Sequence, residues 1–272
     1  MSARAGARPS PRRSPRSPAR RAPRSPPTSV GRRSAAALRV LGIDIGGSFL
    51  KAAVIDGHGR MLTDRLKLKT PDACTPKVMV RALLRLVKPL PPYNHIAIGF
   101  PGVVRNGRVI TAPHWGTRVW ANFELASVLA QRLHAPARLI NDAEMQGLAV
   151  IRGKGLELVL TLGTGAGTAL FRDGQLMPHL ELAQHPIHKS GTYNDYVGNL
   201  ALKKLGRKRW NRHVAHTIEI LHSLLNYDHL FIGGGNASRI TFRLPDNASV
   251  VSNDAGIEGG AMLWQPGFAP PP

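Results

Sequence analysis

Cysteine is almost missing: Cys74 stands alone in 272 residues. One thiol excludes an internal disulfide framework and any structural zinc site built from several cysteines, and a small buried core or helix-cap position is expected for it. Acid is scarce as well, with 16 Asp and Glu against 37 Lys and Arg, a formal charge of +21. No apolar run approaches the roughly 20 residues needed to span a bilayer, so a soluble, cytoplasmic protein is expected. Two phosphate-binding signatures are also wanting. There is no G-x-x-x-x-G-K-[ST] loop, and Gly163-Thr164-Gly165-Ala166-Gly167 lies between strand-like runs rather than ahead of a helix, where a dinucleotide fingerprint would lie.

What is present falls into two parts. Residues 1–37 are mostly Arg, Pro, Ser and Ala, and ten arginines (Arg4, Arg8, Arg12, Arg13, Arg16, Arg20, Arg21, Arg24, Arg32 and Arg33) face no acid there. Such a segment buries too little apolar surface to offset its ordering entropy, and disorder is expected. An electrostatic arm, a targeting peptide and a dispensable extension all fit it. A secretory signal does not, because no apolar stretch of the right kind follows the arginines. Removing those ten cations from the formal +21 leaves +11, so the folded part is basic in its own right and attracts polyanions.

Beyond the tail, apolar runs at 39–45 and 49–55 flank Gly46-Gly47-Ser48, and 60–67 alternates, which predicts three strands joined by tight turns. Helical spacing covers 76–87 and 123–133, and further helices are expected over 193–205, 210–225 and 256–264. Strands are expected at 96–98, 137–140, 158–162, 168–171 and 229–232. No internal repeat is evident, although a strand followed by a glycine turn occurs in both halves. Three such turns, at 44–48, 163–167 and 233–235, let backbone N–H groups approach a phosphate. Asn141-Asp142 reads by itself as a helix N-cap.

These stretches resemble the sugar kinase, heat-shock protein and actin superfamily, and within it the ROK family of sugar kinases and repressors. The resemblance is carried by Leu41-Gly-Ile-Asp-Ile-Gly-Gly-Ser48, Gly99-Phe-Pro-Gly-Val103, Leu139-Ile-Asn-Asp-Ala143, Leu160-Thr-Leu-Gly-Thr-Gly165, Leu180-Glu-Leu182, Ile232-Gly-Gly-Gly-Asn236 and Asn253-Asp-Ala-Gly-Ile257. The short chain and the Phe-Pro-Gly-Val-Val run look like the polyphosphate glucokinase branch, which likewise lacks the family's zinc-binding cysteines. The resemblance implies an α/β, two-lobed actin-like ATPase fold, with residues 38–120 and the last helix (256–272) in a small lobe and 121–255 in a large one. It also implies a homodimer, and transfer of a phosphoryl group from polyphosphate, ATP or both to the 6-hydroxyl of glucose.

Roles follow by the same resemblance. Asp142 would be the general base. Asn141, Glu181, Gln184, Gly102 and His114 would meet the sugar, with Gln184 standing where the family has His. Asp44, Gly46, Gly47, Ser48, Lys51, Gly163, Thr164, Gly165, Gly233, Gly234 and Gly235 would cradle the donor, with Mg²⁺ near Asp44 and no zinc. An ATP-dependent kinase for mannose, fructose or an amino sugar is the alternative. A non-catalytic sugar-binding regulator is disfavoured, because the Pro-rich tail cannot form the two packed helices of a helix-turn-helix. The dense cations Lys203, Lys204, Arg207, Lys208, Arg209 and Arg212 read either as a solvated helix face or as a polyphosphate track. Nucleic acid is not expected as a partner beyond non-specific binding by the tail. His58, His95, His134 and His179 show no ligand spacing and read as surface or core residues.

Overall fold

Two five-stranded sheets of the same design organise the chain. The computed structural model describes residues 37–269, and the arginine-rich segment expected to be disordered lies, but for its last residue, outside them. The first sheet contains β1 (Arg39–Ile45), β2 (Phe49–Asp56), β3 (Leu66–Lys69), β4 (His95–Phe100) and β7 (Ala137–Asn141), in the order β3-β2-β1-β4-β7. The second contains β8 (Leu156–Leu162), β9 (Ala166–Arg172), β10 (Gln175–Leu176), β13 (His229–Gly233) and β14 (Ala248–Val250), in the order β10-β9-β8-β13-β14. In each, an antiparallel three-strand meander is extended by two parallel strands. The repeat not evident in the sequence is therefore plain in the topology. Minor hairpins pair β5 (Val104–Arg105) with β6 (Arg108–Val109), and β11 (Pro186–His188) with β12 (Gly191–Thr192).

Helices fill the layers around the sheets. They are α1 (Pro76–Val87), α2 (Thr117–Trp120), α3 (Leu125–Leu133), α4 (Asp142–Val150), α5 (Tyr193–Val197), α6 (Asn199–Leu225) and α7 (Ala255–Glu258). Strand periodicity decides which face meets which layer. Leu41, Ile43 and Ile45 of β1 point into a core shared with α1 and α3, whereas Val40 lies in a second core with Ala143 and Met145 of α4 and Phe171 of β9. A third core joins the far side of the second sheet to Trp210, Val214 and Ile218 of α6. Helix α4 is buried nearly all round, from Ala143 to Leu148, as a helix packed between two sheets must be.

Several boundaries differ from expectation for physical reasons. The alternating run 60–67 pairs as strand only from Leu66, because Leu62 N–H and the Thr63 hydroxyl engage the backbone of Val54 first. The division at residue 121 would cut β7 from its sheet; β7 pairs with β4, so the first sheet runs to Asn141. The first of the two helices expected at 193–205 and 210–225 breaks at Gly198, while the expected division between them falls at Gly206, a kink within α6 whose φ is 72°. The closing helix is one α-turn followed by a 3₁₀ segment, Gly259–Trp264. Cys74 is buried, as expected, and burial pushes its thiol up to about 11. None of the described helices is long and apolar enough to cross a membrane.

Candidate active site

The turns that follow β1 and β8, equivalent hairpins of the two sheets, face each other. Ser48 Oγ lies 3.2 Å from Thr164 Oγ1, and a Cβ on Gly47 would fall only 2.8 Å from that same oxygen. The first turn is braced by Thr70, which donates its hydroxyl to Gly46 O at 2.7 Å. A third glycine turn follows β13. Gly234 there has φ of 84°, a left-handed conformation that suits glycine. The three turns border a cavity of about 490 Å³, within the usual range for a small-molecule site.

Its floor is the junction of β7 and α4. Asn141 caps α4: its Oδ1 accepts from Ala143 N at 2.9 Å and Glu144 N at 3.3 Å. Its Nδ2 donates to Gly102 O at 3.1 Å and Phe100 O at 3.4 Å, fastening the turn after β4. The capping box is closed by Glu144 Oε2, which accepts from Asn141 N. The next residue, Asp142, turns its carboxylate toward the cavity. Gly99 makes room for it, since a Cβ there would come 3.2 Å from Asp142 Cα and 2.9 Å from Met145 Cε. Burial first, then the charges of Asp44 and Glu181, push Asp142 up to about 7 against the hydrogen bond from Ala143 N. Asp44 itself is bound by Lys51, its cross-strand partner, at 2.8 Å.

A second acidic wall belongs to Glu181. His179 stands between Glu144, 2.9 Å from its Nδ1, and Glu181, 3.6 Å from its Nε2. Burial works against the charged ring, but the two carboxylates outweigh it and hold His179 up to about 9. His114, another lining residue, is drawn down by burial and partly restored by Glu181.

Most of the residues singled out in the sequence converge on this cavity: Asp44, Gly46, Gly47, Ser48, Lys51, Gly102, His114, Asn141, Asp142, Gly163, Thr164, Gly165, Glu181, Gly234 and Gly235 all line it. Two do not. Gln184 is exposed and stands outside the lining, because the chain turns away at Ala183. Gly233 is the buried end of β13 and packs against Gln146 rather than the cavity. Sequence reasoning missed His179 and Glu144, whose contact spans 35 positions. It also missed Lys67 and Phe49 at the rim, although the alternation of β3 carried a signal for Lys67. The basic residues of α6 from Lys203 to Arg212 are exposed and none lines the cavity; Trp210 among them is buried, donating to Val197 O at 2.8 Å.

Comparison with known proteins identifies the family. The profile of the ROK family matches residues 40–179. The polyphosphate glucokinase of Mycobacterium leprae (strain TN) is 31% identical over 241 residues, covering 82% of this chain and 74% of that protein. The polyphosphate glucokinase of Mycobacterium tuberculosis (strain ATCC 25618 / H37Rv) is 30% identical over 239 residues, 81% of this chain and 89% of that one. Among solved structures, the inorganic polyphosphate/ATP-glucomannokinase from Arthrobacter sp. strain KM superposes with a TM-score of 0.74 at 29% identity, covering 83% of this chain and 97% of its own. With two like sheets, three glycine turns at one cavity and a match along its length, this chain belongs to the ROK family and has the two-lobed, actin-like fold of its sugar kinases.

Proposed function

We propose that this protein is a glucokinase, moving the terminal phosphoryl group of inorganic polyphosphate or ATP onto the 6-hydroxyl of glucose. The observation that carries the reading is Asp142, a carboxylate at the head of α4 pushed up to about 7 beside three glycine turns. A base with a proton affinity near neutrality serves best in general catalysis. In the reaction, Asp142 accepts the hydroxyl proton as the sugar oxygen bonds to the terminal phosphorus. The bridging P–O bond breaks, and the donor departs one phosphate shorter. Such a transfer asks the protein for positioning and charge neutralisation. Ser48, Thr164 and the N–H groups of the glycine turns meet the donor, and Lys51 stands close enough to share its charge. Glu181, oriented by His179, accepts hydrogen bonds from sugar hydroxyls, with His114 lining the same cavity. Asn141 has its side chain committed to Gly102, Phe100 and the helix end, so its part is to hold the turn at Gly102 in place.

Magnesium fits this donor set. Lys51 takes Asp44 Oδ2 and leaves Oδ1 to a cation, while no cluster of three or more His, Cys, Asp or Glu among the described residues could hold a metal alone. Mg²⁺ commonly binds through one or two carboxylates and the substrate's own phosphates. It would neutralise charge that develops on the transferring group. The exposed cations of α6 would gather polyphosphate from solution, adding affinity that salt screens. A homodimer in the cytoplasm accords with this reading.

The test is a panel of glucose, mannose, fructose and an amino sugar, each assayed with ATP and with long-chain polyphosphate. Glucose should be phosphorylated with polyphosphate. Phosphorylation of another hexose alone would replace the sugar, and activity with ATP alone would remove polyphosphate as a donor.

A further inference from the structure

Register pairing sets Asp44, Lys51 and Lys67 side by side across β1, β2 and β3. Directly paired residues share one face of a sheet, and all three line the cavity. The row therefore leads outward from the carboxylate that raises Asp142, in steps of about 4.8 Å per strand. Its charges are not spent equally. Asp44 and Lys51 are paired with each other at 2.8 Å and are 13% and 16% exposed. Lys67 has no carboxylate partner among the described residues; its ammonium stands 3.7 Å from the centroid of the Phe49 ring. Phe49 is a cavity-lining residue left 40% exposed. A cation over an aromatic face is held in place without being neutralised.

The row continues along the strand. Lys69 is the next same-face residue of β3, opposite Phe49 and about 7 Å from Lys67 along the chain. Its contact with Asp72 is 3.5 Å between side chains that are 75% and 93% exposed, a pair too exposed to bind its charge firmly. Leu66 and Leu68 take the opposite face and pack on the first core, so β3 is pinned while its lysines stay outward. It is the edge of its sheet, with no further strand beyond it among the described residues. Phe49 stays exposed at this rim for no reason that the core supplies.

We propose that β3 is the rail by which a polymeric phosphate donor leaves the cavity, with Lys67 and then Lys69 contacting phosphates beyond those held by the glycine turns. This rests on the donor reading above and adds to it a binding site on the first sheet, separate from the cations of α6. A polymer with a charge at every repeat reaches both lysines. A nucleoside triphosphate runs out of phosphates and presents a neutral sugar and base instead, so it gains little from Lys69.

Two measurements on the full chain test it. In the double variant Lys67→Ala/Lys69→Ala, the KM for polyphosphate some tens of residues long should rise at least fivefold more than the KM for ATP. Its dependence on salt should flatten as well, since fewer contacts release fewer counterions. Equal changes with both donors, or no change, would overturn the proposal. Lysine acetylation read residue by residue gives an answer that needs no turnover. Long-chain polyphosphate should shield Lys67 and Lys69, and ATP should shield Lys69 far less. Shielding at Lys203, Lys204 and Lys208 with none on β3 would sink the rail. Shielding on β3 without sugar phosphorylation would leave the rail standing and dismiss the kinase reading.

Discussion

Asp142 owes its chemistry to its neighbours. An ordinary Asp titrates near 4; here burial and the charges of Asp44 and Glu181 carry it to about 7. The base must be ionised to accept a proton, so kcat/KM for the sugar should climb as pH rises through about 7 and level off above. A pH–rate profile with its acid limb near 4 would show that the carboxylate does not control the step. Single residues near Asp142 were legible in the sequence where they sat in short strand–turn motifs, as Asp44, Ser48, Asn141 and Thr164 do. His179 was not, because its meaning comes from Glu144 on α4, a partner that only the fold supplies. Gln184 failed for the converse reason. The resemblance gave it a sugar-binding place, in the position of the family's His, and a 3₁₀ turn at Leu182–Gln184 leaves it exposed.

Among the elements, α4 and α6 do different work. Helix α4 is short and buried, and its capping box sets the position of Asp142; a cap of this kind is worth about 1 kcal/mol. Helix α6 buries Trp210, Val214 and Ile218 and turns its Lys and Arg outward. Its kink at Gly206 falls in the gap that the sequence left between 205 and 210, whereas the break at Gly198 escaped sequence reading because a glycine inside a helical pattern is often tolerated. If its outer face gathers polyphosphate, reversing Lys203, Lys204, Lys208 and Arg209 to Glu should raise the KM for long-chain polyphosphate several-fold, and more than that for ATP. Equal loss with both donors in steady-state assays would mean that the face serves only solubility.

At the scale of the whole molecule, two copies of one topology are set so that their hairpin turns meet above α4. The order of strands, and the glycine turns that close them, could be read along the chain because periodicity and turn residues are local properties. The duplication could not. The two sheets share a pattern of apolar runs and turns but not the side chains that fill it: Lys51 and Lys67 face the cavity from the first, Thr161 and Gly167 from the second. Asp142 lines the cavity along with these residues of both sheets, and the proposed reaction turns on it. The most direct measurement is therefore turnover by Asp142→Asn with glucose and saturating donor, alongside sugar affinity. The account predicts that kcat falls by about 10²–10⁴, the usual worth of a general base, while glucose binds nearly as before. Turnover within tenfold of the unaltered protein would contradict it and return Asp142 to the role of a helix end.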